Sequence, residues 1–262
     1  MIFVLFLLGL CLGSFAYAMT LRMFDGRDWV NGRSECENCK HVLAWYDLFP
    51  LFSWLSTVGK CRYCNKKLGS SYVYAELMGG LLLALSYLFW PYGFSTWGIM
   101  QFIVWSIIIT CLLSLIIFDL IWFILPDKIV IFLIVVATLM QTYIMAYEQS
   151  LSRLPGIALS IVIGSGVFWL LYILSRGRYI GGGDVKYGLF FGILVGSGFK
   201  SLLIISIGSL LGTLVMLPLL AVRKKKVSSL IPFGPFLIVA TIIVYLWGDK
   251  IAEILNTTYL FP

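Results

Sequence analysis

Four cysteines fall into two pairs, CENC at Cys36–Cys39 and CRYC at Cys61–Cys64, with 21 residues between the pairs. Two CxxC knuckles at this separation supply four thiolates to a tetrahedral zinc ion, and the Arg and Lys around them favour the thiolate form. Two disulfides or idle thiols are the alternatives, and a cytosolic position disfavours disulfides. Four protein ligands leave no open position, so such a site is structural. Cys11 and Cys111 stand alone in apolar runs and read as small core residues. His41, the single histidine, follows the first knuckle and reads as a loop residue on it. That leaves no histidine to serve a Ser–His or Cys–His hydrolase, and it excludes a histidine-rich metalloprotease site.

The second set of reactive groups is carboxylate. Most of the twelve acids lie in loops, where a solvated charge needs no explanation, but Glu76, Asp119, Asp127 and Asp184 lie near or inside apolar runs. Acids are costly there and as a rule functional. Asp184 follows three glycines in RYIGGGDVKYGLFFG; Gly181, Gly182 and Gly183 would let a second backbone, such as an extended peptide, come close. Asp119 closes the apolar stretch LSLIIFD, 65 residues before Asp184. Two carboxylates in one site cannot both ionise easily, so one keeps a proton. Such a pair can activate a water and protonate a leaving group, as in aspartic peptidases. Structural roles compete. Asp127, after Leu125-Pro126, reads as a helix N-cap, and Asp184 could cap its own helix or pair with Lys186.

These groups need elements to hold them, and the composition says in which solvent. The 262 residues are 61% apolar and 12% charged, with mean hydropathy +0.99, a pattern that belongs to membrane proteins. Eight apolar stretches of about 20 residues, enough for ~30 Å of hydrocarbon, lie at 1–21, 72–92, 97–118, 128–147, 155–175, 180–198, 201–222 and 230–248. The first has no positive n-region and no clear cleavage signature, so it reads as a retained helix. The sixth is weak: without the stretch up to Lys186 it keeps about a dozen apolar residues, too few to cross, so either Asp184 lies inside the membrane boundary or this helix does not span. The expected fold is therefore all-α and polytopic, with about eight transmembrane helices. It divides into a first helix at 1–21, a cytosolic zinc-knuckle insert at 22–71 and a seven-helix core at 72–262.

Basic residues orient it. With 22–71 cytosolic, sixteen of the nineteen Lys and Arg lie in inside loops, including eight in the insert, Lys128, Arg176, Arg178, Lys186 and the run Arg223–Lys226. Arg153, Lys200 and Lys250 lie outside. Such asymmetry fixes topology and places both termini outside. Asp119 and Asp184 then sit at similar depth near the cytoplasmic boundary. The net charge of +7 is accounted for by topology and anionic lipid, with no nucleic acid required.

With these motifs assembled, the chain resembles the type IV prepilin peptidases, GxGD-type intramembrane aspartic peptidases of pilus, type II secretion and competence systems. The resemblance rests on GGGDVK at Gly181–Lys186, FDLIWFILPD at Phe118–Asp127, the knuckle segment SECENCKHVLAWYDLFPLFSWL with KCRYC, and LGSF at Leu12–Phe15. It implies that Asp119 and Asp184 are the catalytic pair, the first acid of the family preceding the Leu-Pro-Asp. It further implies cleavage of the basic leader of prepilins or pseudopilins at the cytoplasmic face of the bacterial cytoplasmic membrane. In many members S-adenosylmethionine-dependent methylation of the new N-terminus follows, chiefly in those with the four-cysteine insert. Where the family commonly has Asn two residues after LGSF, this chain has Tyr17. The competing class is a proton- or cation-coupled transporter using the acids at a broken helix, and a third reading is a membrane scaffold presenting the knuckle to a partner.

The charge asymmetry is tested by fusions. A reporter active only in the cytosol works when fused after Lys67 and fails after Lys250; the reverse pattern inverts the topology.

Overall fold

The computed structural model describes residues 1–29, 32–36, 38–178, 180–221 and 232–260, with the backbone alone for 219–221 and 256–260. The inward-assigned basic run Arg223–Lys226 lies outside them, as do Glu37 and Tyr179 of the quoted motifs. The described residues form nine α-helices: α1 (Ile2–Phe24), α2 (Phe52–Ser56), α3 (Ser71–Leu88), α4 (Thr96–Trp122), α5 (Asp127–Glu148), α6 (Leu154–Ser175), α7 (Gly182–Val195), α8 (Gly198–Ala221) and α9 (Gly234–Leu260). Among the described residues no regular strand accompanies them. Seven helices are long and apolar enough to cross a membrane: all but α2 and α7. The stretch 180–198, the weak candidate for a sixth span, is not among them. Its helix α7 has 14 residues, ~21 Å at ~1.5 Å per residue, short of a ~30 Å core.

The chain forms two compact units, one of Met1–Trp90 with Trp105–Ile117, the other of Pro91–Val104 with 118–262. In the first, α1 and α3 meet backbone to backbone. A Cβ on Gly9 would lie 2.5 Å from the Gly79 carbonyl oxygen, and one on Gly13 would collide with the Ala75 carbonyl. Small residues four apart let membrane helices approach this closely. Tyr17 joins this seam as a core residue: it is buried with Ala16, Ala75, Leu113 and Ile117, its ring centroid 4.5 Å from that of Tyr72. Of the lone cysteines, Cys111 is buried as expected, whereas Cys11 is exposed on α1; neighbouring glycines, not Cys11, occupy the helix contact.

In the second unit α7 packs against α5, α6, α8 and α9. It is almost enclosed, with Tyr187, Phe190 and Phe191 fully buried and the Tyr187 hydroxyl donating to Thr241 Oγ1 at 3.0 Å. Its early end would leave carbonyls orphaned in a medium that cannot hydrogen-bond them. Gln141 of α5, itself buried, donates from Nε2 to the carbonyls of Ile193 at 3.0 Å and Leu194 at 2.9 Å. Ser160 of α6 donates to the Ser197 carbonyl at 3.2 Å. Gly196 takes the left-handed conformation that ends the helix, φ 59°.

The α6–α7 seam repeats the glycine device. A Cβ on Gly188 would lie 2.6 Å from the Gly164 carbonyl oxygen, and one on Gly192 would be 3.0 Å from Ile161 Cα. Gly188→Val therefore overpacks α7 and costs about 1–3 kcal/mol, lowering the thermal midpoint in detergent. Gly166→Ala on α6, where an added Cβ meets nothing within 4 Å, leaves the midpoint unchanged or raised.

Candidate active site and metal centre

Asp119 lies in the last turn of α4, four residues before Phe123 ends that helix in a left-handed conformation. The chain then passes through Leu125-Pro126 into α5. Asp119 is 7% exposed, and its Oδ2 accepts the N–H of Gly234, the first residue of α9, at 2.9 Å. A helix N-terminus, with its unsatisfied N–H groups, suits a carboxylate. A Cβ on Gly234 would be 2.5 Å from Asp119 Oδ2, so a larger residue would displace the carboxylate from this N–H.

Asp184 sits in the first turn of α7. It is half-buried and reaches back to accept the Gly181 N–H at 3.3 Å. The structure brings the two acids together. A Cβ on Gly183 would lie 2.9 Å from Leu125 Cβ, and one on Gly234 would lie 3.5 Å from Leu125 Cδ2. Leu125 is therefore wedged between the glycine beside Asp184 and the glycine that holds Asp119. The Asp119 carboxylate lies near enough for its charge to act on Asp184.

The three glycines divide. Gly183 makes the close approach to Leu125 of its own chain. Gly182 has open space where a Cβ would stand, and Gly181 has only Asp184 and the next peptide nearby. The N-cap expected of Asp127 is corrected. Pro126 occupies the cap position, and Asp127 is the first helical residue. Its carboxylate instead accepts from Lys186 Nζ at 2.7 Å. Lys186 thus pairs across to α5, and Asp184, two residues away on α7, has its backbone partner at Gly181.

The cysteine insert is built from one hairpin used twice. In the first knuckle Cys36 N–H bonds the His41 carbonyl, Lys40 N–H the Cys36 carbonyl and Leu43 N–H the Ser34 carbonyl. In the second, Cys61 bonds Lys66, Asn65 bonds Cys61 and Leu68 bonds Gly59 in the same pattern. Lys40 and Asn65, each following the second cysteine of its pair, both have φ 56°. His41 packs at a tilt against Tyr63 of the other knuckle, centroids 3.7 Å apart. Asp47 adds a second tie, accepting from Arg62 Nε at 2.8 Å and the Tyr63 hydroxyl at 2.8 Å. Burial raises its pKa, but Arg62, Tyr63 and the Ala44 N–H outweigh this and hold the carboxyl below its usual range.

The four sulfurs lie within 4.8 Å of one another, with Cys36 and Cys64 Sγ 3.9 Å apart. A tetrahedron of ~2.3 Å zinc–sulfur bonds separates sulfurs by ~3.8 Å, so the donor set and its spacing fit that ion. The thiols are unequal without it. The Lys66 N–H lowers Cys64 to about 6, and the Cys39 N–H lowers Cys36. At Cys39 the His41 N–H lowers the pKa, yet burial and the three neighbouring sulfurs raise it to about 11. Crowded thiolates of this kind are what a cation relieves.

Residues 7–90 match the family model for the bacterial peptidase A24 N-terminal domain, and residues 106–217 that for the type IV leader peptidase family. A prepilin leader peptidase/N-methyltransferase of Pseudomonas aeruginosa is 31% identical over 229 residues, 87% of this chain and 74% of the relative. The chain belongs to the type IV leader peptidase family. A relative of the same name from Xanthomonas campestris is 28% identical over 94% of this chain and 91% of its own length. One from Myxococcus xanthus reaches 45%, but over only 78 residues, 30% of this chain and 23% of the relative. No solved structure matches.

Within this family site, sequence reasoning missed Gly234, Leu125 and Gln141. Gly234 had a signal in principle, a glycine beside a proline at the mouth of an apolar run. Nothing in the sequence ties it to Asp119, 115 residues away. The thiol inequality gives a direct check. In metal-stripped protein, iodoacetamide labelling of Cys64, followed by mass spectrometry, rises through pH about 6, while that of Cys39 rises only toward about 11. Coincident profiles would mean that the four-sulfur cluster does not form.

Proposed function

We propose that the chain is an intramembrane aspartic endopeptidase that removes the basic leader from type IV prepilins or pseudopilins and then methylates the new N-terminal amine. The observation that carries this is the convergence of Asp119 and Asp184 around Leu125 in a chain of the type IV leader peptidase family. Relatives named for both activities support the second step. The transporter reading has no such support.

In this mechanism Asp119 and Asp184 share one proton and hold a water between them. The ionised acid takes a proton from the water as it attacks, and the neutral acid donates to the peptide carbonyl oxygen. The Gly234 N–H fixes the Asp119 carboxyl in one orientation. The open flank at Gly181 and Gly182 leaves space for an extended substrate backbone. The Asp127–Lys186 pair joins the starts of α5 and α7, so it positions without touching the reacting atoms.

Cys36, Cys39, Cys61 and Cys64 hold a structural zinc, which supplies a crosslink between the two knuckles. S-adenosylmethionine, when bound, supplies the methyl group. The protein lies in the bacterial cytoplasmic membrane among lipid, with 1–21 as its first helix, the 22–71 insert cytosolic, 72–262 as the peptidase core and both termini outside. The basic-residue asymmetry supports this orientation.

In detergent, with a prepilin as substrate and mass spectrometry as readout, Asp119→Asn and Asp184→Asn each reduce cleavage by at least about a hundredfold. The double variant is no worse than either single, because the two act as one unit. Asp127→Asn keeps cleavage within a few-fold, since its partner Lys186 is exposed and such pairs contribute about 0–1 kcal/mol. A dead Asp127→Asn beside a live Asp119→Asn would exchange their roles; a fully active Asp184→Asn would end the peptidase reading.

A further inference from the structure

The first unit contains a cavity of about 560 Å³ beneath the knuckles, between the insert and the facing sides of α1 and α3. That volume is in the ~300–1,000 Å³ range of small-molecule sites. Three carboxylates line it. Glu35 is paired with Arg27 and Lys40, and Asp47 with Arg62. Glu76 is different. It is 7% exposed, it accepts the Leu51 N–H at 2.8 Å, and the Ser14 hydroxyl is its other partner. Among the described residues no cation pairs with it. Buried charges are ordinarily paired, so a carboxylate that is fixed by neutral donors and faces a cavity calls for a cationic ligand. Its place is structural in origin: Leu51, whose N–H it holds, stands at φ 62° immediately before α2, so the insert is anchored to α3 through this acid.

The rest of the lining suits an aromatic, polar ligand. Phe49, Trp54 and Tyr72 border the space, and the Trp54 ring N–H is buried without a hydrogen-bond partner among the described residues, an orphaned donor of a kind rare in folded proteins. Arg22 enters from α1, and Arg33, Lys60, Lys66 and Lys67 line the same space from the insert, a basic set suited to a ligand that also carries a carboxylate.

We infer that this cavity is the binding site of the methyl donor, S-adenosylmethionine, with Glu76 as the anionic partner of its sulfonium. The inference rests on the methyltransferase reading of the preceding subsection and adds where the donor is held. A sulfonium is a cation bonded to an adenosyl group. It matches both the unpaired carboxylate and the aromatic walls, whereas a bare metal ion would leave most of the volume unfilled. S-adenosylhomocysteine has the same adenosyl and amino-acid groups but a neutral sulfur, so Glu76 discriminates between the two.

Binding to the purified, zinc-replete protein in detergent is measured by equilibrium dialysis with each ligand. Glu76→Gln weakens S-adenosylmethionine at least tenfold and S-adenosylhomocysteine less than threefold, with metal content unchanged by elemental analysis. Ala18→Phe, which fills the cavity from α1, weakens both at least tenfold, and it carries the test should Glu76→Gln lose its metal. Unaltered binding in both variants, or equal weakening of the two ligands by Glu76→Gln, overturns the assignment. If the parent methylates a pre-cleaved prepilin while the variants bind normally, the location is wrong and the activity stands. A parent that neither binds the donor nor methylates removes the methyltransferase reading, and this inference with it.

Discussion

Everything around the two central acids follows from one constraint: α7 is shorter than a membrane is thick, and backbone groups released by its early end must be satisfied inside the protein. Each unsatisfied peptide group in hydrocarbon costs several kcal/mol, far more than a surface ion pair contributes. Gln141 and Ser160 meet that demand at the C-terminal end, on carbonyls 193, 194 and 197. Because those donors sit on α5 and α6, α7 is locked against both helices. The glycines at 164, 188 and 192 remove the side chains that would hold the backbones apart. The N-terminal end of α7 is thereby placed, and Asp184 with it.

The other acid is held by the same economy of backbone groups. The first N–H of a helix has no partner within that helix, and Gly234 gives its own to Asp119. Leu125 then occupies the space between Gly183 and Gly234. A pair of carboxylates that repel when both are ionised is kept together by apolar and glycine contacts rather than by attraction of its own. Lys186, the one nearby cation in the GGGDVK motif, is directed to Asp127. Among the described residues no cation pairs with Asp184.

The first unit solves a different problem with similar parts. Its polar insert connects two closely packed helices, and the glycine seam of α1 and α3 brings Ser14 and Glu76 side by side under the knuckles. Glu76 ties the insert down through the Leu51 N–H. The departure from the family pattern at Tyr17 is absorbed in this seam, where the ring packs on Tyr72 and Ala75 instead of facing solvent.

The sequence by itself determined the solvent, the number of long apolar helices to within one, the four thiols that cluster and the acids worth weighing. These are readable because each depends on local quantities: hydropathy over ~20 residues, the two-residue gap of a knuckle, and the cost of a charge in an apolar run. Tertiary structure alone decided the rest. It ended α7 after 14 residues, moved Asp127 from a cap to an ion pair with Lys186, and placed Cys11 on an exposed face. It also joined Asp119 to Gly234, and Glu76 to Leu51. Each of these is a contact between residues far apart in the chain, or the outcome of a competition among partners. A short carboxylate takes whichever donor the packed backbone brings within ~3 Å, and that proximity is a property of the folded helices, not of neighbours in sequence.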